Sequence, residues 1–274
     1  MSNELVKRLI AGISGSAFIA FMAVYDLYTF SFLCLLMVLL LLREFYTITA
    51  EYKPVVSLGL ILGAFMILSV FLYQDGRLQD AKLVYLFLLV LFSVPLYVLF
   101  DKRKSSIGSI AITFMGIIYI ALPIALFLLM SKSSPEADHN SYLLIGVFLI
   151  IWSNDTGAYF TGKTMGKTKL FERISPNKTI EGSIGGVVLA FFIIWLLYHF
   201  GDTQISYLKW GGLILVVSVF GILGDLVESQ MKRTLQIKDS GAVIPGHGGF
   251  LDRFDALIFA LPFSYIYYAW VIIE

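Results

Sequence analysis

The chain alternates long apolar runs with short polar intervals. Runs of roughly bilayer-spanning length, for which about 20 apolar residues suffice, fall at 9–25, 28–42, 55–73, 82–100, 107–130, 141–160, 184–200, 210–227 and 256–273. Residues 9–42 would form one rod about 50 Å long at ~1.5 Å per residue, too long for a single span, so the run is divided at Asp26. Each half is then short, and this first hairpin is expected to cross incompletely. The pattern predicts an all-α polytopic integral membrane protein with about nine transmembrane helices.

Composition supports that class: 58% of the 274 residues are hydrophobic and 14% are charged. Cations in short loops favour the cytoplasmic side. With nine spans, the N-terminus and the even-numbered loops share one face, and that face holds 16 of the 20 Lys and Arg residues. The N-terminus is therefore expected in the cytoplasm, with residues 1–130 as a helical scaffold and 131–274 as a catalytic region whose motif loops face the cytoplasm. The basic opening MSNELVKRLIAG leads into an apolar run that continues past any cleavage site, so an uncleaved first helix is expected. Cys34 stands alone, which removes disulfide frameworks and thiolate metal sites. His139 and His199 read as solvated or interfacial residues. A net charge of +1 says nothing about partners, and no nucleic-acid partner is expected.

Residues 157–164, GAYFTGKT, satisfy the phosphate-loop pattern letter for letter. That loop works when a buried strand delivers a glycine-rich turn to a helix N-terminus. Here the segment follows a spanning-length apolar run, bulky residues stand where backbone freedom is needed, and no other strand-like run completes a sheet. The match is read as fortuitous, with Asn154 and Asp155 ending the sixth helix and a basic loop following.

Polar residues collect in two places. In 153–182, five cations mix with Gly157, Gly162, Gly166, Pro176 and Gly182, a composition suited to bringing backbone close to a phosphate. In 224–255, continuation of the eighth helix would put Asp225, Ser229 and Lys232 on one stripe, with Glu228 beside it. Asp252 and Asp255, spaced i, i+3 beside a glycine turn, are suitable Mg²⁺ ligands, because this hard ion takes few carboxylates and completes its shell with water and phosphates. The plain alternative is an interfacial loop with helix-capping aspartates.

The spacing Ser229, Lys232, Arg233, Lys238, Asp239, followed by Pro245, Gly246, His247, Gly248, Gly249, Asp252, Arg253 and Asp255, resembles the signature of the phosphatidate cytidylyltransferases, or CDP-diacylglycerol synthases. The upstream Asn154-Asp155-Thr156-Gly157-Ala158-Tyr159, Ser175-Pro176-Asn177-Lys178-Thr179 and Glu181-Gly182 are similar to the same family's second motif. The resemblance implies an inner-membrane homodimer that converts CTP and phosphatidate into CDP-diacylglycerol and pyrophosphate with Mg²⁺. It implies that Asp225, Asp252, Asp155 and Asp255 hold one or two cations. Lys232, Arg233, Lys238 and Arg253 would bind phosphates. Asn154, Ser175, Asn177, Lys178 and Ser229 would contact CTP, while Gly248 and Gly249 allow close approach. His247 would donate to an oxyanion or protonate pyrophosphate. The competing readings are a CTP-dependent polyprenol or phytol kinase and, from another class, a multispan transporter.

Overall fold

A computed structural model describes residues 3–78, 80–101, 107–133, 137–201, 203–241 and 248–273. His247, Pro245 and Gly246 lie outside these described residues. The chain forms two compact units, Met1–His139 with Asp239–Arg253, and Asn140–Lys238 with Phe254–Glu274.

The first unit contains α1 (Asn3–Tyr25), α2 (Leu27–Ile48), α3 (Val56–Gln74), α4 (Asp80–Phe100) and α5 (Ile107–Leu129), the last with one π turn at Ile117–Ala121. The division at Asp26 is observed and has a local cause. Asp26 adopts extended backbone, its Oδ1 accepts from Thr29 N at 2.7 Å, and Thr29 Oγ1 accepts from Asp26 N at 3.3 Å. This reciprocal cap stops one helix and starts the next. The expectation of a short second helix is corrected: α2 runs to Ile48, because Arg43 and Glu44 continue the helix instead of ending it.

Inside this unit the ring of Tyr46 lies between Gly59 and Gly116, where any Cβ would overlap it, and its hydroxyl donates to Thr113 O at 2.8 Å. At the far end of α3, buried Gln74 donates to Leu129 O at 2.8 Å, satisfying a carbonyl that the helix end leaves open. His139 is half-buried, and its Nε2 donates to Ala23 O at 2.8 Å. Burial lowers its pKa from the ordinary value; Lys132 adds to the lowering, while the bond to Ala23 and the charge of Asp26 oppose it.

The second unit contains α6 (Ser141–Met165), β1 (Lys169–Phe171), β2 (Ser175–Thr179), α7 (Ile180–Phe200), α8 (Tyr207–Thr234) and α9, which runs Leu251–Ile272 and enters this unit at Phe254. The strands pair antiparallel with Lys169 opposite Thr179 and Phe171 opposite Ser175. This small hairpin is absent from the sequence reading, since three- and five-residue strands offer too few positions to show alternation. Thr179 caps α7 by accepting from Gly182 N at 3.1 Å, and Glu181 accepts from Lys167 N and Thr168 N at 3.1 Å, tying the start of the hairpin to the helix that follows it.

Helices α6 and α7 touch along a glycine seam. A Cβ on Gly157 would sit 2.7 Å from Gly185 O, and one on Gly186 would sit 2.6 Å from Asn154 O. Small residues at such a seam let two backbones approach in a solvent that supplies no hydrophobic drive between helices.

Among the described residues, seven helices are long and apolar enough to cross a bilayer: α2, α3, α5, α6, α7, α8 and α9. The described apolar parts of α1 and α4 are the shorter stretches Ser14–Tyr25 and Leu91–Phe100. Large apolar side chains are exposed along outer faces, for example Ile184, Val188 and Phe192 on α7. That arrangement belongs to a protein whose solvent is lipid. The chain is an all-α, multi-pass membrane protein, and Cys34 is buried and unbridged.

Candidate active site

Three elements of the second unit converge on a cavity of about 610 Å³. Helix α6 contributes Asn154 and Asp155, strand β2 contributes Ser175, Asn177 and Lys178, and α8 contributes Asp225. All six are residues that the sequence singled out, drawn from segments up to 71 positions apart.

Their placement corrects one expectation. Asn154 and Asp155 do not end the sixth helix; α6 continues to Met165 and contains GAYFTGKT throughout. The helix persists because its polar residues meet a protein cavity and the neighbouring hairpin, so hydropathy falls while the backbone stays helical. Residues 157–164 therefore form no phosphate loop, and Gly157 serves the seam with α7.

Lys178 Nζ forms an ion pair with Asp225 Oδ2 in the cavity wall. The two side chains are 30% and 31% exposed, open enough for a ligand to compete for either. Asp225 Oδ1 accepts from Ser229 Oγ at 3.3 Å, one helical turn on, as the predicted stripe requires. Lys232 departs from that stripe and pairs with Glu228 at 2.5 Å, where Glu228 is 1% exposed. Asn154 Nδ2 donates to buried Ser218 Oγ at 2.9 Å. The Oδ1 of Asn154 is buried with no hydrogen-bond partner among the described residues, an acceptor set beside the cavity.

Asp255 is buried in the first turns of α9, and the charges of Asp225, Glu228 and Asp155 all bear on it through space. Close crossing of α8 and α9 at Gly224 produces this proximity: a Cβ there would lie 2.8 Å from Asp255 O. Asp155 and Asp225 line the cavity with carboxylate oxygens, the donor type a hard divalent cation takes, and Asp255 is buried behind them. Among the described residues no three such groups form a ready-made cage.

Arg233 and Lys238 are exposed at and beyond the end of α8. Gly248, Gly249, Asp252 and Arg253 belong to the first unit. There Asp252 Oδ2 accepts from Gly249 N at 2.8 Å and from Ser240 N at 3.0 Å, and Gly248 takes the left-handed backbone that glycine favours, with φ of +83°.

Sequence reasoning missed Ser218, whose hydroxyl looks like one more small residue in an apolar helix. It also missed Glu44 and Ser240, which bond to each other. The available signal for Glu44 was a carboxylate standing in the run LLLLREFYT, where a charge must find partners.

The model of the cytidylyltransferase family matches residues 6–271. A Bacillus subtilis (strain 168) protein named phosphatidate cytidylyltransferase is 32% identical over 268 residues, covering 96% of this chain and 97% of that protein. Proteins of the same name from Staphylococcus saprophyticus and Staphylococcus aureus (strain COL) are 39% identical over 204 residues and 43% identical over 171 residues. The first of these matches spans 74% of this chain and 76% of its relative; the second spans 62% and 64%, less than two thirds of the Staphylococcus aureus protein's length. With its family model matched almost end to end, the chain belongs to the cytidylyltransferase family.

Proposed function

We propose that this protein transfers CMP from CTP to phosphatidate, giving CDP-diacylglycerol and pyrophosphate, in the inner membrane with the site open to the cytoplasm. The observation that carries the reading is the cavity in which Lys178 pairs with Asp225 beside Asp155, Ser175 and Asn177. It joins a cation for phosphates, carboxylates for a metal, and small polar groups for a nucleotide.

A phosphomonoester already carries between one and two negative charges at neutral pH, so the lipid phosphate needs no protein nucleophile. Its oxygen forms a bond to the α-phosphorus of CTP, the bond from that phosphorus to the bridging oxygen breaks, and pyrophosphate leaves with the electron pair. The barrier is repulsion between two anions, and alignment with charge neutralisation lowers it. Lys178, drawn off Asp225 when the nucleotide enters, supplies positive charge to the phosphates. Ser175 and Asn177 orient them. Asn154 Oδ1, held by the bond from Nδ2 to Ser218, offers an acceptor to the amino group of cytosine. Asp155 and Asp225, the carboxylates in the cavity lining, would hold Mg²⁺, which when bound would neutralise charge on both reactants. A homodimer at the bilayer is the expected assembly.

The test is purified protein in detergent with α-³²P-CTP, Mg²⁺ and phosphatidate. Label that enters the organic phase only with both phosphatidate and Mg²⁺ supports the proposal. Label from γ-³²P-CTP on an added polyprenol instead would replace it with a lipid kinase.

A further inference from the structure

Glu44 is 6% exposed on α2 and sits in an otherwise apolar run. A carboxylate so buried is costly without donors. Among the described residues its donors come from one segment about two hundred residues downstream. Phe250 N donates to Oε2 at 2.7 Å, Leu251 N donates to Oε1 at 3.0 Å, and Ser240 Oγ makes a short bond to Oε1. Phe250 and Leu251 lead into α9, where backbone N–H groups lack helical partners and the helix dipole favours an anion. Glu44 thus caps a helix remote from its own.

Asp252 holds the same segment from within. It takes the backbone N–H groups of Ser240 and Gly249, so Ser240 is bonded at its nitrogen by Asp252 and at its hydroxyl by Glu44. Gly249 is required for this arrangement: a Cβ there would overlap both Glu44 Oε1 and Ser240 Oγ. Gly241 is nearly as close, its would-be Cβ lying 3.2 Å from Glu44 Cδ. One carboxylate from α2 and one from α9 therefore fasten together the two arms of the segment that carries Asp239, Gly248 and Gly249.

We propose that Glu44 is a positioning residue for cytidylyl transfer, clamping Ser240 to the start of α9 so that Ser240, Gly249 and Asp252 keep one arrangement. The inference rests on the function proposed above. Releasing the clamp lowers the fraction of enzyme in the competent arrangement, which reduces kcat more than the affinity for CTP.

The experiment uses full-length protein in detergent with Glu44→Gln and Ser240→Ala, following hydrogen exchange by mass spectrometry, steady-state transfer and thermal unfolding together. Glu44→Gln keeps shape but presents an amide N–H₂ to backbone donors. The expected result is faster exchange in peptides spanning 239–253, by about tenfold or more, with unchanged exchange in α6 to α8. In parallel, kcat should fall about 10- to 50-fold, with KM for CTP within about threefold of wild type. Ser240→Ala removes one donor and should move both readouts in the same direction by about two- to fivefold.

Wild-type exchange and kcat in both variants would overturn the clamp. So would activity lost only in proportion to unfolded protein in Glu44→Gln with Ser240→Ala unaffected, which would make Glu44 a packing residue. If the wild-type protein itself transfers no cytidylyl group, the proposed function fails, and the exchange data still decide separately whether Glu44 fastens the segment.

Discussion

The polar residues of the two units are used in opposite ways. In the second unit, Lys178 and Asp225 are each about one third exposed in a cavity wall, and the pair can open to a ligand. In the first unit, Glu44, Ser240, Asp252 and the backbone of Gly249 to Leu251 are bonded to one another, with Glu44 and Ser240 buried. The difference teaches that a sequence signature mixes polar groups left open to a cavity with polar groups that hold backbone in place. Identical letters, here aspartate at 225 and 252, can belong to either kind.

Substitutions should separate the two. Asp225→Asn is expected to have the largest effect, lowering kcat about 10³-fold or more, some 4 kcal/mol of transition-state stabilisation, with thermal unfolding in detergent little changed. Near-normal turnover would remove Asp225 from the reaction. Asp252→Asn should lower kcat about 10- to 100-fold, because the amide holds Ser240 N and Gly249 N less well, and it alone of the pair should speed exchange across 239–253. If Asp225→Asn loosened that segment equally, the proposed division of labour would collapse.

Lys178→Met should act mainly on nucleotide binding, raising KM for CTP about 10- to 30-fold, since it removes a phosphate partner while leaving Asp225 in place. A pure kcat effect would move Lys178 to the leaving group. Gly186→Val tests packing instead of chemistry. Its branched side chain would meet the backbone of Asn154, and a loss of about 1–3 kcal/mol in stability is expected, read as a lower unfolding temperature with residual activity per folded molecule.

The smallest effect concerns pH. Burial lowers the pKa of His139 in the folded protein, so protonation favours unfolding. Stability from the neutral ring is complete above the unfolded value of about 6.5 and is lost as pH falls through it toward the lower folded value. The unfolding temperature of wild type should therefore drop between about pH 7.5 and 5.5 by more than that of His139→Gln. Equal drops would show that His139 contributes nothing to acid sensitivity.

Much of the fold was legible because its signals are local. Asp26 interrupts an apolar run and caps its own successor within three residues, so the split at that position could be read from the chain. The continuation of α8 past the apolar run was legible for a similar reason, since Asp225 and Ser229 meet one helical turn apart. The end of α6 was misjudged because polarity was taken as a sign of solvent. Asn154 instead faces a protein-lined cavity and bonds to Ser218, 64 positions away. The glycines were legible as unusual but not as to purpose: Gly157 and Gly186 serve a helix seam, and Gly249 makes room for Glu44.

By itself the sequence determined the membrane class and the helical segments apart from some of their ends, and it supplied the candidates for chemistry. A bilayer core offers no water, so each spanning segment must satisfy its backbone internally, and a helix does this from local sequence alone. Only the tertiary structure decided which of those residues meet. Lys178 finds Asp225 across 47 positions, and Glu44 finds Leu251 across 207. Such pairs carry no period along the chain; they follow from how closely glycine-lined helices approach and from the need of every buried charge for a partner.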